Sequence, residues 1–204
     1  YGRLVGALSG VSVQDQAQPG LDPMALSRVH GAADQVCAMP IEVEGPSCGS
    51  IPAIRRSARR LAVQHSKPMV IVVDYLQLMR GGSSRRDASQ SDGLSANSRG
   101  LKLLAVELGC VVIMLSQPTL EAKRTKKRPH ISDSKGSGSI EDDADLTLVP
   151  WLPHRVGAGS PSHAEIGVDK FRHGLYRHIT RDEVTWVGRK MQFSDANSYA
   201  SSEL

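Results

Sequence analysis

An α/β fold built on a largely parallel sheet is predicted by three features of the sequence. MVIVVD (69–74) and VVIMLS (111–116) are short, unalternating runs of aliphatic and β-branched residues. That is the pattern of strands covered on both faces in a parallel sheet. Between them, Leu94, Leu101, Leu104, Ala105 and Leu108 recur at helical spacing, so the order strand–helix–strand implies a crossover connection. Further short strand-like runs follow, which fits a sheet covered by helices better than a helical bundle.

Taken in order, residues 1–11 place Leu4, Val5 and Leu8 at helical spacing, with Gly10 as the stop. Residues 12–23 are polar and hold Pro19, Gly20 and Pro23, which predicts a loop. Residues 24–37 read as a helix, IEVE (41–44) as a short strand and GPSCGS (45–50) as a turn. A helix is predicted over 51–66, with Ser50 as N-cap and Pro52 in the first turn. Its apolar face is Ile54, Ala58, Leu61 and Ala62, and Arg55, Arg56, Arg59 and Arg60 lie opposite. Residues 80–93 are a Gly/Ser-rich loop with Arg80, Arg85 and Arg86. The central helix runs over 94–108 and Gly109 ends it. Residues 117–139 read as a long basic loop carrying Lys123, Arg124, Lys126, Lys127, Arg128 and Lys135. Strands are predicted at 144–151 and 164–170, then a hairpin of YRHIT (176–180) with EVTWVG (183–188).

Composition bounds the function. The chain is 204 residues long, and its 40% hydrophobic content suffices for a core without metal or disulfides. Only 4% of residues are aromatic, so that core is aliphatic. Cys37, Cys48 and Cys110 are an odd number and form no C-x-x-C pair, which argues against a disulfide framework or a zinc site. No apolar run approaches the roughly 20 residues a bilayer span needs, and a reducing, cytoplasmic setting is expected. The formal charge of +4 permits nucleic acid as a partner without requiring it.

The chemistry is expected at two strand ends. Asp74 closes MVIVVD, and ligands of open parallel sheets bind beyond the carboxyl ends of the strands. Ser116 and Gln117 close the next strand, where an amide can both donate to and accept from a phosphate or a water. Each feature alone reads as an ordinary polar strand terminus. Together, one helix apart, they bring Asp74 and Gln117 to the same sheet edge.

VDYLQLM (73–79), SRGLKLLAVELG (98–109), LSQ (115–117), SGSIEDDADL (137–146) and KFRHG (170–174) resemble, in that order, the helicase domain of DnaB-family replicative DNA helicases. The resemblance runs over roughly residues 1–193. It implies a RecA-like P-loop ATPase core with a mostly parallel sheet, helices on both faces and a C-terminal antiparallel hairpin. The amino-terminal part of that core is expected to be missing. Residues 1–194 would be a partial ATPase domain and 195–204 a polar tail. The resemblance also implies ATP and Mg²⁺ as cofactors, single-stranded DNA as substrate, five-prime to three-prime movement and a homo-hexamer. Primase and a helicase loader are the further partners it implies.

It implies residue roles too. Asp74 would hold Mg²⁺ and Gln117 would sense the γ-phosphate. Lys170 and Arg172 would reach the neighbouring subunit's nucleotide; without the resemblance they read as solvated charges on an edge strand. Lys135, Gly136 and Gly138 would follow the DNA backbone, with Gly136 departing from the family's acidic residue. The loop at 80–93 corresponds to the family's second channel-facing loop. Gly93 and Pro118-Thr119 are further departures.

A phosphate-binding loop reads G-x-x-x-x-G-K-[ST]. No Gly here is followed by Lys, so the chain alone is expected to be inactive and to leave apolar strand edges open. The start at Tyr1 favours a fragment of an active helicase. The alternative is a catalytically inactive DnaB-like DNA-binding or assembly subunit.

Overall fold

A computed structural model describes residues 1–65, 69–80, 90–125, 127–134, 136–174, 177–179, 184–188, 190 and 192–195. The helices are α1 (Gly2–Ser9), α2 (Val13–Gln16), α3 (Pro23–Ala38), α4 (Ile51–Gln64), α5 (Gln90–Leu108), α6 (Leu120–Arg124) and α7 (Ser137–Asp143). The strands are β1 (Val70–Val73), β2 (Val111–Met114), β3 (Leu146–Trp151), β4 (Glu165–Phe171), β5 (Arg177–Ile179), β6 (Val184–Val187) and β7 (Gln192–Asp195). β1 and β2 pair in parallel, with Val70 opposite Val111 and Val73 opposite Met114. A second sheet has the order β3-β4-β5, and β6 pairs antiparallel with β7.

The chain divides into two compact units. The first comprises 1–42, 150–167 and 177–204, and the second 43–149 and 168–176. In the first, α1 packs on α3 through Val5, Ala32 and Val36. Asp22 starts α3 by accepting the Met24 and Ala25 N–H groups at 2.9 Å, with Pro23 in the first turn. This satisfies two of the donors that a helix start leaves unpaired.

The second unit is built on the parallel pair. Its core joins Val73 and Leu76 to Leu94 and Leu101 of α5 and Ile140 of α7, with Ile51 and Ile54 of α4 against them. Alternation along β1 and β2 sends Ile71, Val73, Val112 and Met114 to this side. Val70, Val72, Val111 and Ile113 point to the other side and stay 46–60% exposed. Helices therefore cover one face of this pair, where the apolar runs had predicted burial on both. An unalternating sequence states what both faces would accept, and not which face this chain covers.

Other departures are local. Residues 12–23 contain the one-turn α2, started by Ser12, which accepts the Asp15 N–H at 3.1 Å. IEVE (41–44) forms no strand, because no ladder partner meets it among the described residues. Ser50 has extended backbone, as an N-cap should, but its side chain makes no cap bond. The central helix starts at Gln90, earlier than predicted, and Gly109 ends it in the left-handed region as expected. The basic stretch 117–139 is not one loop: Thr119 caps α6 at 3.3 Å, and α7 begins within it. The C-terminal antiparallel hairpin is present but forms one strand later than predicted. β5 joins β4, and β6 turns back on β7, with Trp186 edge-on to Phe193 at 5.1 Å.

Candidate functional site

The parallel pair brings the two strand ends together. The Leu115 N–H donates to the Val73 carbonyl at 3.0 Å, and the Leu76 N–H donates to the Leu115 carbonyl at 2.9 Å. Asp74 and Gln117 lie just beyond this closure, and both are exposed. Among the described residues, neither the Asp74 carboxylate nor the Gln117 amide has a hydrogen-bond or ion-pair partner. The core beneath them is apolar: Leu76 is fully buried two residues past Asp74.

These side chains fit one edge of a magnesium nucleotide. Mg²⁺ is usually held by one or two carboxylates plus phosphate oxygens and waters, and not by an all-protein cage. Asp74 supplies one exposed carboxylate, and no cluster of three or more acids, histidines or cysteines stands among the described residues.

Lys170 and Arg172 sit at the end of β4 and just after it. Both turn to the carboxyl end of α7. The Lys170 ammonium donates to the Glu141 carbonyl and, at 3.4 Å, to that of Asp142. Arg172 Nη2 donates to the Asp142 carbonyl at 3.0 Å, and Nη1 lies 3.5 Å from Asp145 Oδ1. Both have protein acceptors, though Arg172 stays exposed. Cations at a helix carboxyl end satisfy its last carbonyls and its dipole. Their two-residue spacing placed them on one side, as the sequence implied. The target, about 30 residues upstream in the chain, was not visible there.

Asp145 organises this corner. It accepts from Lys102 Nζ at 2.5 Å, and its backbone carbonyl accepts the Arg172 N–H at 2.8 Å. Its carboxyl is held below the usual carboxylate range, first by the Lys102 hydrogen bond and then by the nearby positive charges. A depressed carboxylate stabilises the fold above its unfolded-state pKa and loses that contribution as pH falls through the folded value. The urea midpoint of wild type relative to Asp145→Asn is therefore expected to be higher at neutral pH. The difference should shrink below about pH 4 and should be modest, because the pair is half-exposed.

Of the expected DNA contacts, Lys135 lies outside the described residues, as do Arg85, Arg86 and Lys126. Gly136 precedes α7 at φ 76°, where a side chain would be strained, and a Cβ there would lie 3.3 Å from Leu94. Gly138 is exposed on the first turn of α7. Within the basic stretch, Arg128 is not free in solvent. It faces Asp169 at 3.9 Å, and Asp169 also accepts the Ile131 N–H at 2.7 Å. Asp169, 11% exposed, thus pins the approach to the 131–136 segment. Only its place between the apolar runs and KFRHG could have marked it beforehand.

Comparison with solved structures defines the fold as that of a RecA-like ATPase domain. The ATPase domain of G40P superposes with a TM-score of 0.85 at 24% identity, covering 95% of this chain and 68% of that one. A DnaB-like replicative helicase, described with its interactions with primase, gives 0.84 at 23% identity, covering 94% of this chain and 46% of that one. The sequence of residues 1–195 matches the family described as "DnaB-like helicase C terminal domain", and the chain belongs to that family. Among curated relatives, the replicative DNA helicase DnaB of Mycobacterium leprae is 32% identical over 87% of this chain. The same-named protein of Leifsonia xyli is 33% identical over 95%. The chain spans only 30% and 42% of those relatives' lengths.

Proposed function

We propose that this chain is the carboxyl-terminal ATPase segment of a replicative DNA helicase that moves along single-stranded DNA as a homo-hexameric ring. Residues 1–194 make the domain segment and 195–204 a polar tail. The observation that carries the reading is the placement of two exposed polar side chains, Asp74 and Gln117, at one end of the parallel pair β1 and β2, within a chain of this family.

Magnesium-bound ATP supplies the phosphoryl transfer that drives movement. Asp74 would hold the metal at the strand end through its carboxylate. Gln117 meets the terminal phosphate or the attacking water, for which its amide has both donor and acceptor. Lys170 and Arg172 reach the nucleotide of the adjacent subunit, where positive charge stabilises the transferring group. Lys135, Gly136 and Gly138 follow the DNA backbone through charge and exposed amides, without reading bases. Primase and a helicase loader are the proposed partners in a cytoplasmic replication assembly; no described helix is long and apolar enough to cross a membrane.

The test is DNA-stimulated ATP hydrolysis and duplex unwinding by the complete protein that carries this chain. Asp74→Asn is expected to cut turnover by at least about a hundredfold, since metal stabilisation is worth several kcal/mol. Unchanged turnover in that variant overturns the assignment. DNA binding without any hydrolysis by the complete protein would favour the inactive subunit instead. The 204-residue chain alone is expected to hydrolyse nothing, because no G-x-x-x-x-G-K-[ST] stands within it.

A further inference from the structure

A chain of polar side chains runs from the strand end bearing Asp74 to the segment that leads into Gly136. Gln77 lies in the 3-10 turn Leu76–Leu78. Its amide nitrogen donates to Ser116 Oγ at 2.8 Å, and its amide oxygen accepts the Gln117 N–H at 3.4 Å. Ser116 Oγ lies 2.5 Å from Ser134 Oγ. Ser134 also reaches the Gln117 carbonyl at 3.5 Å and forms a bridge with Pro118, while the Thr119 N–H donates to the Asp133 carbonyl at 2.8 Å. One amide and two hydroxyls thus join the exits of β1 and β2 to residues 131–134.

The apolar core does not need these bonds. Leu76 and Met79 pack from the same turn, whereas Gln77, Ser116 and Ser134 are half-buried at the rim. Each member has more than one way to bond. A hydroxyl donates or accepts by rotating, and a glutamine amide does both at once. The Gln117 backbone is bonded to Gln77 on one side and to Ser134 on the other. Ser134 is two residues from Gly136, whose left-handed turn opens α7. The strand ends and the segment approaching the glycine turn are thus joined by hydrogen bonds as well as by the apolar core.

We infer that Gln77 and Ser134 are positioning residues that couple the phosphate-facing strand ends to the DNA-facing loop at 136–138. The inference rests on the helicase reading above and adds the regulation of that same site. Contiguous bonds alone do not establish coupling; a measured coupling energy does.

The experiment uses the complete protein that carries this chain. Affinity for a fluorescent oligo-dT is measured with ADP and with a non-hydrolysable ATP analogue, for wild type, Gln77→Ala, Ser134→Ala, the double variant and Ser134→Thr. Allosteric coupling of this kind changes affinity about 5- to 150-fold. The wild-type ratio is expected in that range. Either alanine variant should reduce it at least about threefold while the KM for ATP and nucleotide-free DNA affinity stay unchanged. The double variant should lose no more than the larger single loss, and threonine, which keeps the hydroxyl, should restore coupling. Alanine variants that retain the full ratio overturn the relay alone, as do variants that lose coupling only together with ATP and DNA binding. A wild type with no nucleotide-dependent DNA affinity overturns the helicase reading and the relay with it. Should Ser134→Ala fail to fold by thermal melt, Gln77→Ala decides.

Discussion

Arg172→Ala in the complete protein is expected to lower ATP turnover by about 10³- to 10⁵-fold, the range for an arginine supplied to a transferring phosphoryl group. Lysine should not rescue it, because the planar fork that meets two oxygens is lost. The structure supplies a rival explanation. Arg172 caps α7 through the Asp142 carbonyl and faces Asp145, so alanine could act by loosening α7. The two accounts diverge when subunits are mixed. If Arg172 acts across the interface, Arg172→Ala and Asp74→Asn subunits assembled together regain part of the lost turnover, since some interfaces then hold both intact residues. If it acts only through α7, mixing restores nothing, and Arg172→Ala alone lowers the melting temperature. Arg172 gives one N–H to the Asp142 carbonyl, and a guanidinium carries five, so donors remain for a neighbour's phosphate.

The sequence made some of this legible and hid the rest for physical reasons. Asp74 and Gln117 could be placed because a strand end is a local feature: an apolar run stops and a polar residue follows. Gly109 worked the same way, as a left-handed stop after a helical period. α7 was unreadable because Ser, Gly and Asp disfavour a helix interior. Its stability comes from outside the segment, through Ile140 in the core, Ser139 on Ser95 and Asp143 on Arg99. The role of Lys170 and Arg172 as caps depended on α7 and was lost with it. IEVE erred the other way, having strand-like alternation but no strand to pair with. β7 was missed because QFSD is mostly polar and gains its order from β6.

Core and open face separate in the last prediction. Leu76→Ala is expected to cost about 2–5 kcal/mol, the range for removing a buried leucine side chain and leaving a cavity. That is a large part of the roughly 5–15 kcal/mol a domain has in hand. Leu76 is 0% exposed and touches the packing of β1, α5 and α7 together, so the loss falls where the walls are rigid and little can collapse inward. The urea midpoint should drop sharply, and Asp74, two residues before Leu76, and Gln77, next to it, should lose their placement with it. The other face of the same strands behaves differently. Val70, Val72, Val111 and Ile113 form an apolar patch over a sheet that has only two strands among the described residues, and such surfaces drive association. Changing the four to threonine keeps β-branching and strand preference. The 204-residue chain should then melt within about 1 kcal/mol of wild type while its self-association, read by light scattering after size exclusion, falls. The same four changes in the complete protein should be strongly destabilising if further chain covers this face. A monomeric, cooperatively melting wild-type chain would show instead that the open face is tolerated by itself.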